Sequence, residues 1–124
     1  MKISGTTFSR SALQERYLKH DSCPVAAAME KFGGKWKPII LYLISHGYNR
    51  FGEMLKRIDG ISKTVLTAKL RELEEDGILH REVFAEVPPR VEYTLTDFGL
   101  TLRPVLLTIC KWGLENVLED KGDS

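Results

Sequence analysis

The sequence contains no run of about 18 consecutive apolar residues, so no segment of it reads as a membrane-spanning helix. Met1 to His20 lacks the apolar centre of a secretory signal, and the expected location is the cytoplasm, with no membrane partner. Cysteine is scarce: Cys23 and Cys110 stand far apart and form no CxxC or zinc-type spacing, which excludes a disulfide framework and a structural metal site. No cofactor motif is present, and neither a cofactor nor a metal is expected. Charge of one sign is also lacking. Eighteen Lys and Arg against 17 Asp and Glu leave a formal net charge of +1, so any nucleic-acid surface must come from local clustering rather than from bulk charge. There is no internal repeat, low-complexity tract or long linker.

With 124 residues and 43% hydrophobic content, the chain is long enough for one core and short for two. Residues 1–22 read as an arm, with a short helix expected at Ala12 to Lys19; residues 23–118 read as the folded domain, and 119–124 as a polar tail. Val25, Ala28, Met29 and Phe32 recur at helical spacing from Pro24 to Phe32, closed by Gly33-Gly34. Trp36, Ile39, Ile40, Leu43 and Ile44 mark the buried side of a second helix, with Pro38 in its first turn and Gly47 after its end. Asn49 is expected to cap Arg50 to Ile58, where Phe51, Met54, Leu55 and Ile58 fall on one face. Asp59-Gly60-Ile61 connects to a helix capped by Ser62, with Leu66, Leu70 and Leu73 inward and Gly77 at its end.

After Gly77 the period shortens to about 2, with Leu79, Arg81, Val83, Ala85 and Val87 alternating against polar neighbours and Phe84. Pro88-Pro89-Arg90 makes a turn, and Val91, Tyr93 and Leu95 lie on the return strand of a hairpin. Thr96 and Asp97 then cap a final helical region that Pro104 breaks or kinks. The fold class is α+β and mostly helical: a winged helix-turn-helix with added N- and C-terminal dimerisation helices.

On the helix after Ser62 the inward leucines leave Lys63, Thr64, Ala68 and Arg71 outward, with Thr67 and Lys69 flanking them. A small residue and two threonines on that face suit close approach to a groove. Glu72, Glu74, Glu75 and Asp76 crowd the other end, against the helix dipole, at the part of such a helix that points away from duplex DNA. Arg50, Lys56 and Arg57 add candidate phosphate contacts, and Arg90 at the wing turn is expected to reach an adjacent minor groove or its phosphates. Lys and Thr outside with Leu inside is also what a plain solvated helix shows; the contiguous order of helix, turn, capped helix and basic-tipped hairpin is what favours duplex DNA.

CPVAAAMEKFGGKWKPIILYL, RFGEMLKRIDGISKTVLTAKLRELEEDGIL, EVPPRVEYTLTDFG and PVLLTICKWG, running from about Cys23 to Gly113, resemble in order the signatures of the HxlR family of bacterial winged-helix transcriptional regulators. The resemblance implies a cytoplasmic homodimer on operator DNA, contacting it through the helix starting near Ser62 and the wing around Arg90. Some members respond to electrophiles or oxidants through a cysteine at the position matched by Cys23, which makes a small electrophile or oxidant a candidate partner. A thiol at a helix N-terminus, near Lys19 and His20, has its thiolate favoured. The alternative is a small packing residue, and Cys110, on an apolar stripe, reads as an inert buried thiol that a partner subunit could bring near Cys23.

The last helix is too apolar for one small core. Leu106, Ile109, Cys110, Trp112, Leu114 and Val117, with the segment before Cys23, are expected to form the two-fold interface. A winged helix that binds protein rather than DNA is the competing function, because net charge is nearly neutral. An enzyme using Cys23 as nucleophile with His46 or His80 as base has no supporting phosphate loop or metal cluster, so no enzymatic activity is expected.

Overall fold

The computed structural model describes Leu18, Lys19 and residues 22–118. Most of the helix expected at Ala12 to Lys19, and the tail at 119–124, lie outside the described residues. The chain divides into two units, Met1–Gly33 and Gly34–Ser124.

In the first unit, α1 spans Pro24–Phe32. Proline fits its first turn, where the missing N–H would have no helical partner. Cys23 occupies the N-cap position; its carbonyl accepts from the Ala27 N–H at 3.0 Å. Gly33 closes the helix through a 2.8 Å bond from its N–H to the Met29 carbonyl. Phe32 is the buried residue of this helix, while Val25 and Met29 are exposed.

The second unit contains α2 (Lys37–Ser45), α3 (Phe51–Arg57), α4 (Lys63–Glu75), β1 (Leu79–Phe84), β2 (Arg90–Leu95), α5 (Asp97–Leu100) and α6 (Arg103–Asn116). Its core is aliphatic: Ile40 and Leu41 of α2, Met54 of α3, Leu66, Leu70 and Leu73 of α4, and Ile78 beyond it are almost fully enclosed. On α2 the buried row is Lys37, Ile40, Leu41 and Ile44, whereas Ile39, expected inside, is exposed. A helix with apolar residues at five successive positions, Ile39 to Leu43, offers more than one candidate stripe, and packing decides between them.

The cap of α3 is Arg50 rather than Asn49. Glu53 accepts the Arg50 N–H at 3.3 Å, and the Asn49 carbonyl is taken by the Tyr93 N–H of β2 at 3.0 Å. The α3–α4 turn needs Gly60 for its backbone, since its φ of +84° is unfavourable for other residues. Ser62 caps α4 as expected, its hydroxyl accepting the Val65 N–H at 3.1 Å. At the other end the Ile78 N–H reaches back to the Leu73 carbonyl at 2.9 Å, which turns the chain into β1.

The two strands form one antiparallel hairpin in which Leu79 pairs with Leu95, Tyr93 with Arg81, and Phe84 with Arg90. The strand expected to reach Val87 stops at Phe84, and Val83 and Val87 are exposed. Alternation is therefore present without a second buried face, because the far half of the hairpin projects beyond the core. Thr96 caps α5 by accepting the Gly99 N–H at 2.9 Å, and Pro104 falls in the first turn of α6, so the expected break separates two helices. Helix, tight turn, helix and hairpin make a winged helix-turn-helix.

Candidate nucleic-acid interface

Because Leu66, Leu70 and Leu73 lock α4 onto the core, its opposite face is fixed outward. Lys63, Thr64, Thr67 and Arg71 are exposed, and Ala68 is half-buried between them. These five line one open hollow of about 380 Å³. A neighbouring hollow of about 340 Å³ shares Thr67 and Arg71 and adds Glu74, Arg81 and Tyr93, so the concave surface runs from α4 to the root of the wing. The first turn of α4 carries no acidic residue, and the positive end of its dipole together with Lys63 favours an anion. Among the described residues, neither Lys63 nor Arg71 has an ion-pair partner.

The acidic end of α4 has a structural employment that spacing alone does not reveal. Lys37 of α2 is buried, and its Nζ lies 2.8 Å from Glu72 Oε1. Lys69 reaches the same oxygen at 3.7 Å, so it is partly committed within its own helix. The hydrogen bond from Lys37 is the main reason the Glu72 carboxyl is held below the ordinary carboxylate range. Glu72 thus ties α4 to α2, while Glu74 and Glu75 stay in solvent.

Of the remaining expected contacts, Arg57 stacks on Tyr48 at 3.7 Å from the ring centre, while Lys56 is exposed. Arg90 begins β2, where it is half-buried; it lies over Phe84, bonds Glu86 Oε2 at 2.9 Å and donates a short bond to Glu92 Oε2. Those two carboxylates, Glu86 first, hold the guanidinium pKa above its ordinary value. Arg50 bonds the same Glu92 oxygen at 3.2 Å. Arg81 shares a parity with Leu79 and Val83, which by alternation alone would turn it inward, yet it lines the hollow beside Arg71.

This geometry coincides with a family match: the model of the HxlR-like helix-turn-helix family fits residues 31–121. The chain belongs to the HxlR family. The HTH-type transcriptional regulator YdeP of Bacillus subtilis is 50% identical over 93 residues, covering 75% of this chain and 73% of that protein. Among solved structures, the redox regulator HypR in its oxidized form superposes with a TM-score of 0.74 at 47% identity, covering 78% of this chain and all of that one. The reduced form of the transcriptional regulator YodB from B. subtilis gives 0.64 at 33% identity, covering 77% and 94%. The molecule is accordingly a helix-turn-helix transcriptional regulator.

A second feature of this HxlR chain lies on α6. Leu106 fills the core, but Ile109, Trp112, Leu114 and Val117 are exposed, Trp112 to 62%. Beside them an apolar groove of about 370 Å³ runs between α2 and α6, with Ile39, Tyr42, Ile109, Cys110 and Leu114 in its walls. The Tyr42 hydroxyl and the Cys110 sulfur are 3.5 Å apart, a contact that raises the phenol pKa above its ordinary value. Both cysteines are half-buried free thiols. The His46 ring is engaged at the end of α2, with Nδ1 3.0 Å from the Tyr42 carbonyl oxygen, and His80 is exposed on β1. Among the described residues there is no metal-ligand cluster and no helix long and apolar enough to cross a membrane.

Proposed function

We propose that this HxlR-family regulator acts in the cytoplasm as a homodimer on duplex operator DNA, with α4 of each subunit in the major groove and the hairpin along the flanking backbone. The observation that carries this reading is the outward hollow of α4, where Lys63, Thr64, Thr67, Ala68 and Arg71 meet without a carboxylate at the helix start. Two cations without ion-pair partners, two hydroxyls and a methyl-sized gap are what a helix needs to approach base edges and phosphates together. The exposed apolar face of α6 supports pairing of two copies, since a single small domain gains nothing by leaving Trp112 and Leu114 in water.

Salt separates this reading from that of a protein-binding module. Release of counterions from DNA makes the logarithm of the binding constant fall by roughly 0.9 per phosphate contact for each tenfold rise in salt. A duplex titration with a steep slope supports DNA binding; no duplex binding at low salt overturns it.

Cys23 is the second part of the proposal: a thiol at the start of α1, whose modification by an electrophile or oxidant lowers operator affinity. Cys23 stands at the N-cap position of α1, and the similarity to a protein described as a redox regulator supports the assignment. Alkylation under native conditions, followed by mass mapping and operator titration, is the test. Preferential labelling of Cys23 and insensitivity of Cys23→Ser are expected; equal labelling of Cys110, or unaltered sensitivity in the Ser variant, overturns it.

A further inference from the structure

In the loop-side half of the wing, two arginines share a single carboxylate oxygen. Arg50 Nη2 and Arg90 Nη1 both donate to Glu92 Oε2, Arg50 across 3.2 Å and Arg90 across a shorter bond. The two cations are not held alike. Arg90 has a side chain only 28% exposed, is bonded also by Glu86 and rests on Phe84, whereas Arg50 is 51% exposed and has Glu92 as its one ion-pair partner among the described residues. An incoming phosphate can therefore draw Arg50 away while Arg90 continues to neutralise Glu92.

We propose that Glu92 is a charge gate on the wing: it holds Arg50 back from phosphates until duplex contacts elsewhere are strong enough to release it, and so suppresses sequence-independent DNA binding. This rests on the reading of the molecule as a duplex binder. The cluster of Arg50, Arg90, Glu86 and Glu92 carries no net charge, so the hairpin offers DNA little attraction while the gate is shut. Arg90 keeps the hairpin in shape rather than reaching the groove. Glu82 supplies the control, because it faces Glu92 across the two strands and no ion pair joins it to either arginine. Removing its charge alters the net charge of the hairpin by the same amount without freeing Arg50.

The test uses the full chain, a mixed-sequence synthetic duplex about two helical turns long, and titrations over a series of salt concentrations. Glu92→Gln is expected to bind this duplex roughly two- to fivefold more tightly than the unaltered chain at low salt, the range spanned by exposed ion pairs. Its salt slope is expected to steepen by up to about 0.9. Glu82→Gln should gain distinctly less, and Arg50→Ala introduced with Glu92→Gln should cancel the gain. Arg50→Ala alone, which leaves Arg90 to satisfy Glu92, should leave the slope on this duplex unchanged, because the shut gate already keeps Arg50 off its phosphates, and should flatten the slope on a duplex selected for tight binding, where the gate is released; this pair of titrations carries the test if the Gln variant is poorly folded. Equal gains in Glu82→Gln and Glu92→Gln, a gain that survives loss of Arg50, or a flattened slope on the mixed-sequence duplex in Arg50→Ala each overturns the gate. Failure of the unaltered chain to bind the duplex with any salt dependence would instead remove the DNA-binding reading beneath it.

Discussion

Truncating Glu72 to alanine should cost more stability than truncating any other carboxylate of the acidic run on α4. In the folded chain Lys37 keeps only 8% of its side-chain surface in water, and its Nζ is 2.8 Å from Glu72. The truncation leaves an ammonium group without its closest acceptor. Breaking a fully buried pair from one side costs about 3–5 kcal/mol, and an exposed pair contributes about 0–1 kcal/mol. Glu72 is itself 45% exposed, so water enters behind the truncated side chain and solvates part of the charge. An intermediate loss of about 2 kcal/mol follows. Lys37→Met removes the buried charge and keeps most of the volume, while the abandoned Glu72 hydrates freely; a change within about 1 kcal/mol is expected. The double variant should then lose much less than the two single losses added. Glu74→Ala and Glu75→Ala, both in solvent near the negative end of the helix dipole, should be neutral or stabilising by a few tenths of a kcal/mol. Urea denaturation at fixed protein concentration measures all five. A Glu72→Ala loss below about 0.5 kcal/mol, or additivity with Lys37→Met, would refute the reasoning.

Gly99→Ala should destabilise by about 1–3 kcal/mol, because a Cβ there would stand 2.2 Å from the Ile78 carbonyl oxygen, a backbone atom already bonded by Thr96. Gly52→Ala, with nothing within 4 Å of its Cβ position in α3, should instead stabilise by about 0.5–1 kcal/mol; thermal melts compare the two. Ser62→Ala should lose about 1 kcal/mol with the cap of α4, read in the same melts. Since the Glu72 pKa is lower in the folded chain than in the unfolded one, its contribution is present above the unfolded value and disappears as pH falls through the folded value. The stability difference between the unaltered chain and Glu72→Gln should therefore shrink in acid, and a difference that is constant with pH would contradict the pairing.

Local chemistry was legible in the sequence wherever the deciding interaction is local. Ser62 and Thr96 cap helices three residues away, and Leu66, Leu70 and Leu73 recur within one helix, so neither feature needs tertiary knowledge. Asn49 misled by one position because its carbonyl is claimed by Tyr93, a residue distant in sequence. The same is true of the acidic run: Glu72 is explained by Lys37 on a different helix, and a lysine beside Trp36 gives no sign in one dimension that it will be buried. Arg90, expected in the turn, is the first residue of β2, and the company of Glu86 and Glu92 depends on hairpin register. Arg81 shares its strand parity with Leu79 and Val83, so alternation alone points it toward the core, whereas the structure leaves it exposed in the hollow beside Arg71.

The most direct measurement of the central claim is the affinity for an operator selected from a random duplex pool, compared at one salt concentration for the unaltered chain, Lys63→Ala and Arg71→Ala. Loss of a base contact from α4 should weaken binding by about 1–3 kcal/mol, and loss of a phosphate contact by less, in at least one of the two variants. Unchanged operator affinity in both would contradict the assignment of α4 to the major groove.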